Sequence, residues 1–451
     1  MDVLKVTHSG LGFAPELAFV NFPVTLFVAE SDLTPLKERI EEFTYGLTKW
    51  EPEVTETAIL TPPKVTVEGK DYEEAVANMN RLFLRNQWSD GVPLLPATKE
   101  RVDWILTGTD LPRDKEIARV GPRGGIATVE SIAVPLAMTG GRPEYLPVLI
   151  AIVEGLGDPE FKTASWQTTS RGTFLVAIVN GPIGKQIRLS KTFGCLGPDS
   201  QRPAGVRIGR AVRLILQDMG GATPGSGTMS CYGPNRTTNV VISEDEENLP
   251  AGWEPLNTEY GYARGTNSVL LNVSCLAVNM WRRGNYIGET LEEEQDESFD
   301  VVAWYMRIPP KSYPVEGGGR GKGSPVGIYL INSLVAEQMA SVGWTKESIR
   351  QTLWERTHTP LAEYLTYGRE VRKLKYDNPG IDLATLPDPM PMYEKPENLL
   401  IAIAGGRHPS QNFWLGEGRA VCPTAEIQLP AIWDQLIAEA EEDLGPIPID
   451  P

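Results

Sequence analysis

Apolar residues recur along this chain in two patterns, and each predicts a different element. Phe174–Asn180 (F-L-V-A-I-V-N) and Asn398–Ala404 (N-L-L-I-A-I-A) are short and apolar throughout, as strands buried on both faces are. Phe22–Ala29, Asn239–Ile242, Val269–Leu276 and Val301–Ile308 are read as strands in the same way. In Tyr72–Asn86, by contrast, Ala75, Met79, Leu82 and Phe83 fall on one helical face. Ala127–Met138, Glu144–Leu156, Val326–Ala340, Ser348–Thr357 and Ile432–Glu441 are further predicted helices, and Ser31–Asp32 can cap one over Pro35–Tyr45. Gly140-Gly141 ends the helix before it, and Gly181-Pro182 stops the 174–180 strand. Ser89–Pro96 (S-D-G-V-P-L-L-P) holds too much proline for a helix or a central strand. The helix that starts near Pro203 and stops before Gly220-Gly221 has a buried stripe of Ile208, Val212, Ile215 and Met219. Its Gly205 and Gly209, four apart, would let another backbone approach. No internal repeat is visible.

Buried strands alternating with amphipathic helices predict an α/β fold, with mixed or parallel sheets flanked by helices. At roughly 150 residues per domain, 451 residues suggest two or three domains. Thr61-Pro62-Pro63 and the proline-rich Asn378–Pro391 read as linkers. They leave a small α/β module over 1–60, a central α/β domain over 71–377, and a C-terminal α/β segment over 392–451 packed on the core.

Charge narrows the partners. The net charge of -17 and pI of about 4.8 repel phosphate backbones and anionic lipid, so nucleic acid and membrane are poor partners. The acidic runs Leu291–Asp300 and Glu439–Asp443 read as solvated faces. No apolar stretch has the length of a membrane span, and the first residues lack a basic start followed by an apolar run, so a cytoplasmic protein is expected. The four cysteines form no C-x-x-C pair and are expected to stay reduced.

The candidate chemistry concentrates in Phe193–Glu247, where two loops rich in glycine and proline flank one helix. Arg207, Arg210 and Arg213 share a helical face, and with Arg202 near the helix start they can hold a carboxylate or phosphate. The alternative is a polar face with ion pairs, some to Glu244–Glu247. Cys231, in M-S-C-Y-G-P-N-R with Asn235 and Arg236, is either an exposed thiol or a small buried hydrophobe. Cys195 resembles it, while Cys275 and Cys422 sit in apolar contexts. His408, in G-G-R-H-P after a buried strand, is placed as a general acid or base, with a solvated loop histidine as the alternative. His358 ends a helix, where a cation suits the dipole. Glu246 or Glu247 can turn inward as a base, and Asp90 is either another carboxylate candidate or a plain turn residue. The loop Gly317–Ser324 fails as a phosphate loop, because Gly323 follows Lys322 where Ser or Thr is needed; it reads as a lid or linker. No nucleotide or metal motif is found, and the cofactor is left open.

Four segments carry a family resemblance: W-S-D-G-V-P-L-L-P-A-T-K-E-R-V, G-G-R-P-E-Y-L-P-V-L-I-A-I-V-E-G, V-N-G-P-I and I-G-R-A-V-R-L-I-L-Q-D-M-G-G-A. Together with I-A-I-A-G-G-R-H they resemble large bacterial proteins associated with the UGSC family, named for a selenocysteine (or cysteine)-Gly-Ser-Cys motif. The match covers roughly Trp88–Glu247, and the first 60 residues resemble part of the small UGSC-like module. C-G-S-C itself is absent here, since the cysteines stand in G-C-L, S-C-Y, S-C-L and V-C-P. The resemblance therefore implies either a partner subunit that supplies the motif or a different chemistry. The expectation is an enzyme, or a subunit of a heteromeric enzyme, acting on a small anionic organic substrate. Thiol- or selenol-linked cleavage or reduction of a carbon–heteroatom bond is what the resemblance implies. The alternatives are a cofactor-free hydratase, lyase or hydrolase, and a non-catalytic subunit supporting a UGSC-type partner; an oligomer is expected. Cys231, His408 and Glu247 are the expected catalytic groups. Arg202, Arg210, Asn235, Arg236, Gly405, Gly406 and Arg407 are the expected substrate contacts. This requires the 230–236 and 405–412 loops to meet in one cleft.

Overall fold

In the computed structural model, which describes residues 32–49, 64–225, 227–234, 236, 238–281, 290–307, 327–416, 418 and 421–449, the apolar runs pair into two separate four-stranded sheets. The chain enters through helices α1 (Tyr72–Asn86) and α2 (Lys99–Leu106), then a hairpin of β1 (Glu116–Val120) and β2 (Gly125–Thr128). Helices α3 (Val129–Met138) and α4 (Leu146–Leu156) follow; Thr128 caps α3 by accepting the N–H of Ser131. Next come β3 (Phe174–Asn180), α5 (Ala204–Leu214), β4 (Val240–Ser243), β5 (Ser268–Ser274) and β6 (Leu276–Trp281). The second half runs α6 (Leu291–Met306), β7 (Gly327–Ile331), α7 (Ser333–Ser341), α8 (Lys346–Arg356), β8 (Leu399–Ile403), β9 (Gln411–Gly416), β10 (Thr424–Glu426) and α9 (Trp433–Leu444).

Side-chain alternation shows why these strands are apolar throughout. Phe174, Val176 and Ile178 of β3 and Val240 and Ile242 of β4 point one way. They meet Ile328 and Leu330 of β7 and Leu400 and Ala402 of β8, so the two sheets face each other across one apolar layer. Leu175, Ala177, Val179 and Val241 point the other way, into a core with α3, α4 and α5. Tyr329, Ile331, Ile401 and Trp414 do the same on the second sheet, against α6, α7 and α8. The result is a four-layer α–β–β–α sandwich in which both faces of each sheet are buried.

The two sheets are built alike. In the first, β3 and β4 are parallel and β5 lies antiparallel on the other side of β3. In the second, β7 and β8 are parallel and β9 lies antiparallel beside β7. The fourth strands are exchanged. After β5, Cys275 alone separates β6, which crosses over and pairs with β9; β10 returns from the second unit to pair with β5. Residues beyond 392 therefore supply strands to both sheets. The proline-rich stretch before them is tied down as well, since Met390 exchanges backbone hydrogen bonds of 2.8 and 2.7 Å with Thr359.

Glycine decides how closely α5 lies on β4. A Cβ on Gly205 would come under 3.0 Å from the Val241 carbonyl oxygen, and one on Gly209 equally close to that of Asn239. Beyond Leu214 the helix widens into a π-helical turn, Ile215–Met219, which ends at Gly220 and Gly221, the latter at φ +74°.

Two expected elements are corrected. Val301–Ile308 is not a strand: residues to Met306 belong to α6, whose Thr290–Glu293 capping box starts a helix with Gln295, Ser298, Phe299, Val302 and Met306 on its buried face. The acidic run is the start of this helix, where negative charge suits the dipole, and Glu294 within it is buried. Val326–Ala340 is not one helix: it divides into β7 and α7 at Asn332, whose side chain accepts the N–H of Val335. A short apolar run reads the same in either element, and length alone misled. The expected strand 22–29, the linker 61–63, the loop 317–324 and Asn235 lie outside the described residues. Of the 1–60 module only 32–49 is described, as the helices Thr34–Glu38 and Ile40–Thr48. Among the described residues no helix is long and apolar enough to cross a membrane.

Candidate functional site

The ends of β4 and β8 meet, and the backbone N–H of Asp245 donates to the Ile403 carbonyl at 2.7 Å. Here the sequence Ser243–Glu247 turns its first two acids inward. The Glu244 carboxylate, fully buried, accepts from Leu256 N at 2.6 Å, Asn180 Nδ2 at 2.7 Å, Ile403 N at 3.2 Å and Lys346 Nζ at 3.3 Å. Asp245, also fully buried, pairs with Lys191 Nζ at 3.0 Å and accepts from Asn248. Glu246 accepts from Gly181 N and Asn180 Nδ2. Glu247, the expected base, is half-exposed between Lys185 (2.6 Å) and Lys191 (2.9 Å). The hydrogen bonds from Lys185 and then Lys191 hold its carboxyl below the usual range. A group so held stays ionised near neutrality, which suits an anchor better than a base. These charges fasten one sheet to the other.

The remaining expected residues have other partners. Cys231 is exposed, with its N–H on the Ser170 carbonyl, and its neighbour Tyr232 is fully exposed. His408 is exposed, and its Nδ1 accepts the N–H of Ser410 at 3.1 Å. Arg407 pairs with Glu337 at 2.6 Å, and Gly405 N donates to the Lys191 carbonyl. Among the described residues no hydrogen bond or ion pair joins Cys231, His408 and Glu247. Both loops do touch the segment between them: Phe193 packs where a Cβ of Gly406 would sit, and Arg236 donates to the Leu196 carbonyl. Cys195, Asp199 and Arg202 line a cavity of about 10 Å³ there, room for one water. Burial pushes the Cys195 thiol up to about 11, so it is protonated near neutrality.

Arg210 meets a carboxylate of this chain. Its Nε and Nη2 each bind Asp90 at 2.8 Å, and Nη2 also reaches the carbonyls of Val92 and Pro93. Asp90 in W-S-D-G-V-P is thus the partner that docks this turn on α5. In urea unfolding, Asp90→Ala and Arg210→Ala should each lose roughly 2–3 kcal/mol, and the double variant should lose much less than their sum. Additive losses would show that the pair does not act as a unit.

About two turns further on, three segments converge. Gln217 Nε2 donates to the carbonyls of Gln87 (3.2 Å) and Ser89 (3.0 Å), which brings the Ser89 loop onto the π-helical turn. The β1–β2 turn closes from the other side: Arg123 N donates to Gly220 O at 2.8 Å and Arg123 Nη1 to Asp218 O at 3.1 Å. Asp218 lies between them, with its Oδ1 buried and without a hydrogen-bond partner. Burial, then the charge of Asp90, pushes this carboxyl up to about 7 against the pull of Arg123. Burial lowers Arg123 and Arg213 from their ordinary value. Arg123 pairs with no carboxylate and Arg213 makes no hydrogen bond or ion pair, among the described residues. Sequence reading passed over Asp218. The available signal was its place on the buried stripe of Ala211 and Ile215, spaced i, i+4, i+7, one residue short of Gly220-Gly221.

Among the described residues no group of three or more His, Cys, Asp or Glu is placed to hold a metal. No family model, no curated protein and no solved structure matches the chain. The assignment of function therefore rests on the side chains themselves.

Proposed function

We propose that this chain is an enzyme, or a subunit of a heteromeric enzyme, that holds a small carboxylate substrate at Arg123 and Arg213 and moves a proton through Asp218. The observation that carries this reading is the buried carboxyl at the π-helical turn, its Oδ1 without a hydrogen-bond partner, with a proton affinity near neutrality and the half-buried Arg123 guanidinium beside it. A group that exchanges its proton near pH 7 is suited to general acid–base work. The Asp218 carboxylate would take a proton from the substrate or from water and return it later, the chemistry of a hydratase, lyase or hydrolase. A UGSC-type partner that contributes the missing motif fits the same reading, with the exposed Met229–Tyr232 loop as its contact. Four cysteines, none of them in a disulfide, fit a reducing compartment such as the cytoplasm. A second reading, a non-catalytic subunit supporting such a partner, is favoured in that no hydrogen bond or ion pair joins Cys231, His408 and Glu247 among the described residues.

Malonate binding followed calorimetrically from pH 5.5 to 8.5 tests the proposal. Affinity should fall as pH rises through 7 and Asp218 gains charge; Asp218→Asn should flatten that profile, and Arg213→Gln should abolish binding. Binding that ignores both variants would end the proposal. Stability gives a second readout. A carboxyl raised in the folded state adds stability that is complete below the ordinary value of 3.8 and lost as pH rises through about 7. Asp218→Asn should therefore exceed the native chain by roughly 2 kcal/mol above pH 7, and the gap should close below pH 4.

A further inference from the structure

The segment after α9 lies over a patch of arginines. Gly445 turns the chain at φ 77° and ψ −175°, a conformation that is strained for any residue with a Cβ. Arg188 then takes three consecutive carbonyls: Leu444 (3.3 Å), Gly445 and Pro446 (3.4 Å). Arg202 takes that of Pro448 at 3.4 Å and pairs with the Asp199 carboxylate at the same distance. Two residues before Gly445, Asp443 is held by Arg142 at 2.9 Å, and Arg142 also binds Glu144 at 2.6 Å.

Two features of this patch are unexplained by the segment that covers it. Tyr145 is completely buried and its hydroxyl has no hydrogen-bond partner. The side chain of Arg207, half-buried on α5, makes no hydrogen bond or ion pair among the described residues; its Nε lies 3.9 Å from where a Cβ of Gly140 would stand, at the turn leading to Tyr145. The charges of Arg207, Arg142 and Arg188 all bear on the Tyr145 phenol, although burial and then Glu144 push it up to about 12. Arg142 has its two carboxylates, but among the described residues Arg188 meets only neutral carbonyls and the Arg207 side chain meets none. A guanidinium binds an oxyanion about twice as strongly as a neutral acceptor, so carbonyls are weak occupants for this position.

We infer that Arg188, Arg202 and Arg207, with the Tyr145 hydroxyl, form a binding site for a phosphate group, and that residues 445–448 cover it when phosphate is absent. The site is separate from the Asp218 cluster: Arg207 and Arg213 are two turns apart along the same helix, and each faces different loops. The ligand is inorganic phosphate or a small phosphate monoester. Opening the strap is the cost of binding, so the two are coupled.

Calorimetry with inorganic phosphate and with glycerol phosphate, paired with hydrogen exchange at the amides of Gly445, Ile447 and Ile449, tests this on the full chain. Phosphate should bind and speed exchange at those amides. Gly445→Ala strains the strap, meets open space and leaves the arginines intact; it should tighten phosphate binding about fivefold or more. Arg207→Gln should weaken it at least about tenfold without changing strap exchange in the absence of phosphate. Tyr145→Phe should weaken it several-fold if the hydroxyl donates, whereas a merely buried hydroxyl would leave affinity unchanged. Tighter binding of glycerol phosphate than of phosphate would identify a monoester ligand; the reverse order would identify the free ion. Failure of the native chain and Gly445→Ala to bind phosphate, or native-like affinity in Arg207→Gln, would overturn the site. Binding with no change in strap exchange would overturn the cover. None of these variants touches Asp218 or Arg213, so either proposal can fail alone.

Discussion

Replacing Glu244 with alanine should cost about 3–5 kcal/mol, one of the two largest single-residue losses expected outside the apolar core. Its carboxylate collects four donors from four parts of the chain: Asn180 at the end of β3, Leu256 in the connection to β5, Ile403 at the end of β8 and Lys346 at the start of α8. Truncation strands all four in a site with no access to water and leaves the Lys346 charge without its carboxylate. Denaturant unfolding of the purified variant measures the loss. Glu244→Gln combined with Lys346→Met removes both charges and should recover part of it, since the main penalty is an uncompensated buried ammonium. A loss below about 1 kcal/mol in Glu244→Ala would mean that the sheets are held by apolar packing alone.

Gly209→Ala should be as damaging through a different cause. The added methyl meets the Asn239 carbonyl oxygen, and backbone cannot step aside as a side chain can. Helix α5 would have to lift off β4, opening the core around Ile208, Val212 and Val241. A loss of several kcal/mol, or failure to fold, is expected. Gly46→Ala is the control. It lies in the helix Ile40–Thr48 with nothing within 4 Å of the new methyl, and alanine is the better helix former by about 1 kcal/mol. Thermal unfolding of the two variants side by side separates crowding from propensity: equal midpoints would discount the seam.

The glycine pair shows how much the sequence discloses when one local rule decides the outcome. Two glycines four apart on a helix announce a close approach, and the backbone of β4 is what approaches. The buried strand Phe174–Asn180 and the helix Tyr72–Asn86 were legible for the same reason: one pattern, one solution. Val301–Ile308 and Val326–Ala340 were not, because an apolar run of five to eight residues satisfies either period, and what settles it is a cap at Thr290 or Asn332 that side-chain geometry reveals. The candidate site was legible only in part. The Phe193–Glu247 block contains Asp218, yet its Arg210 and Glu247 have partners elsewhere in the sequence, Asp90 and Lys191 among them. Asp218 is unusual because of what surrounds it, and those surroundings come from three segments that only folding brings together.

The exchange of β6 and β10 bears on the order in which this protein can be made. As the chain leaves the ribosome, β3, α5, β4 and β5 are available early, but β5 keeps a bare edge until residues 424–426 arrive about 150 positions later. Through most of synthesis that edge presents unpaired amides and carbonyls to any extended chain nearby, the circumstance in which aggregation competes with folding. The first sheet is thus begun first and finished last, and slow, length-dependent maturation follows from the path of the chain.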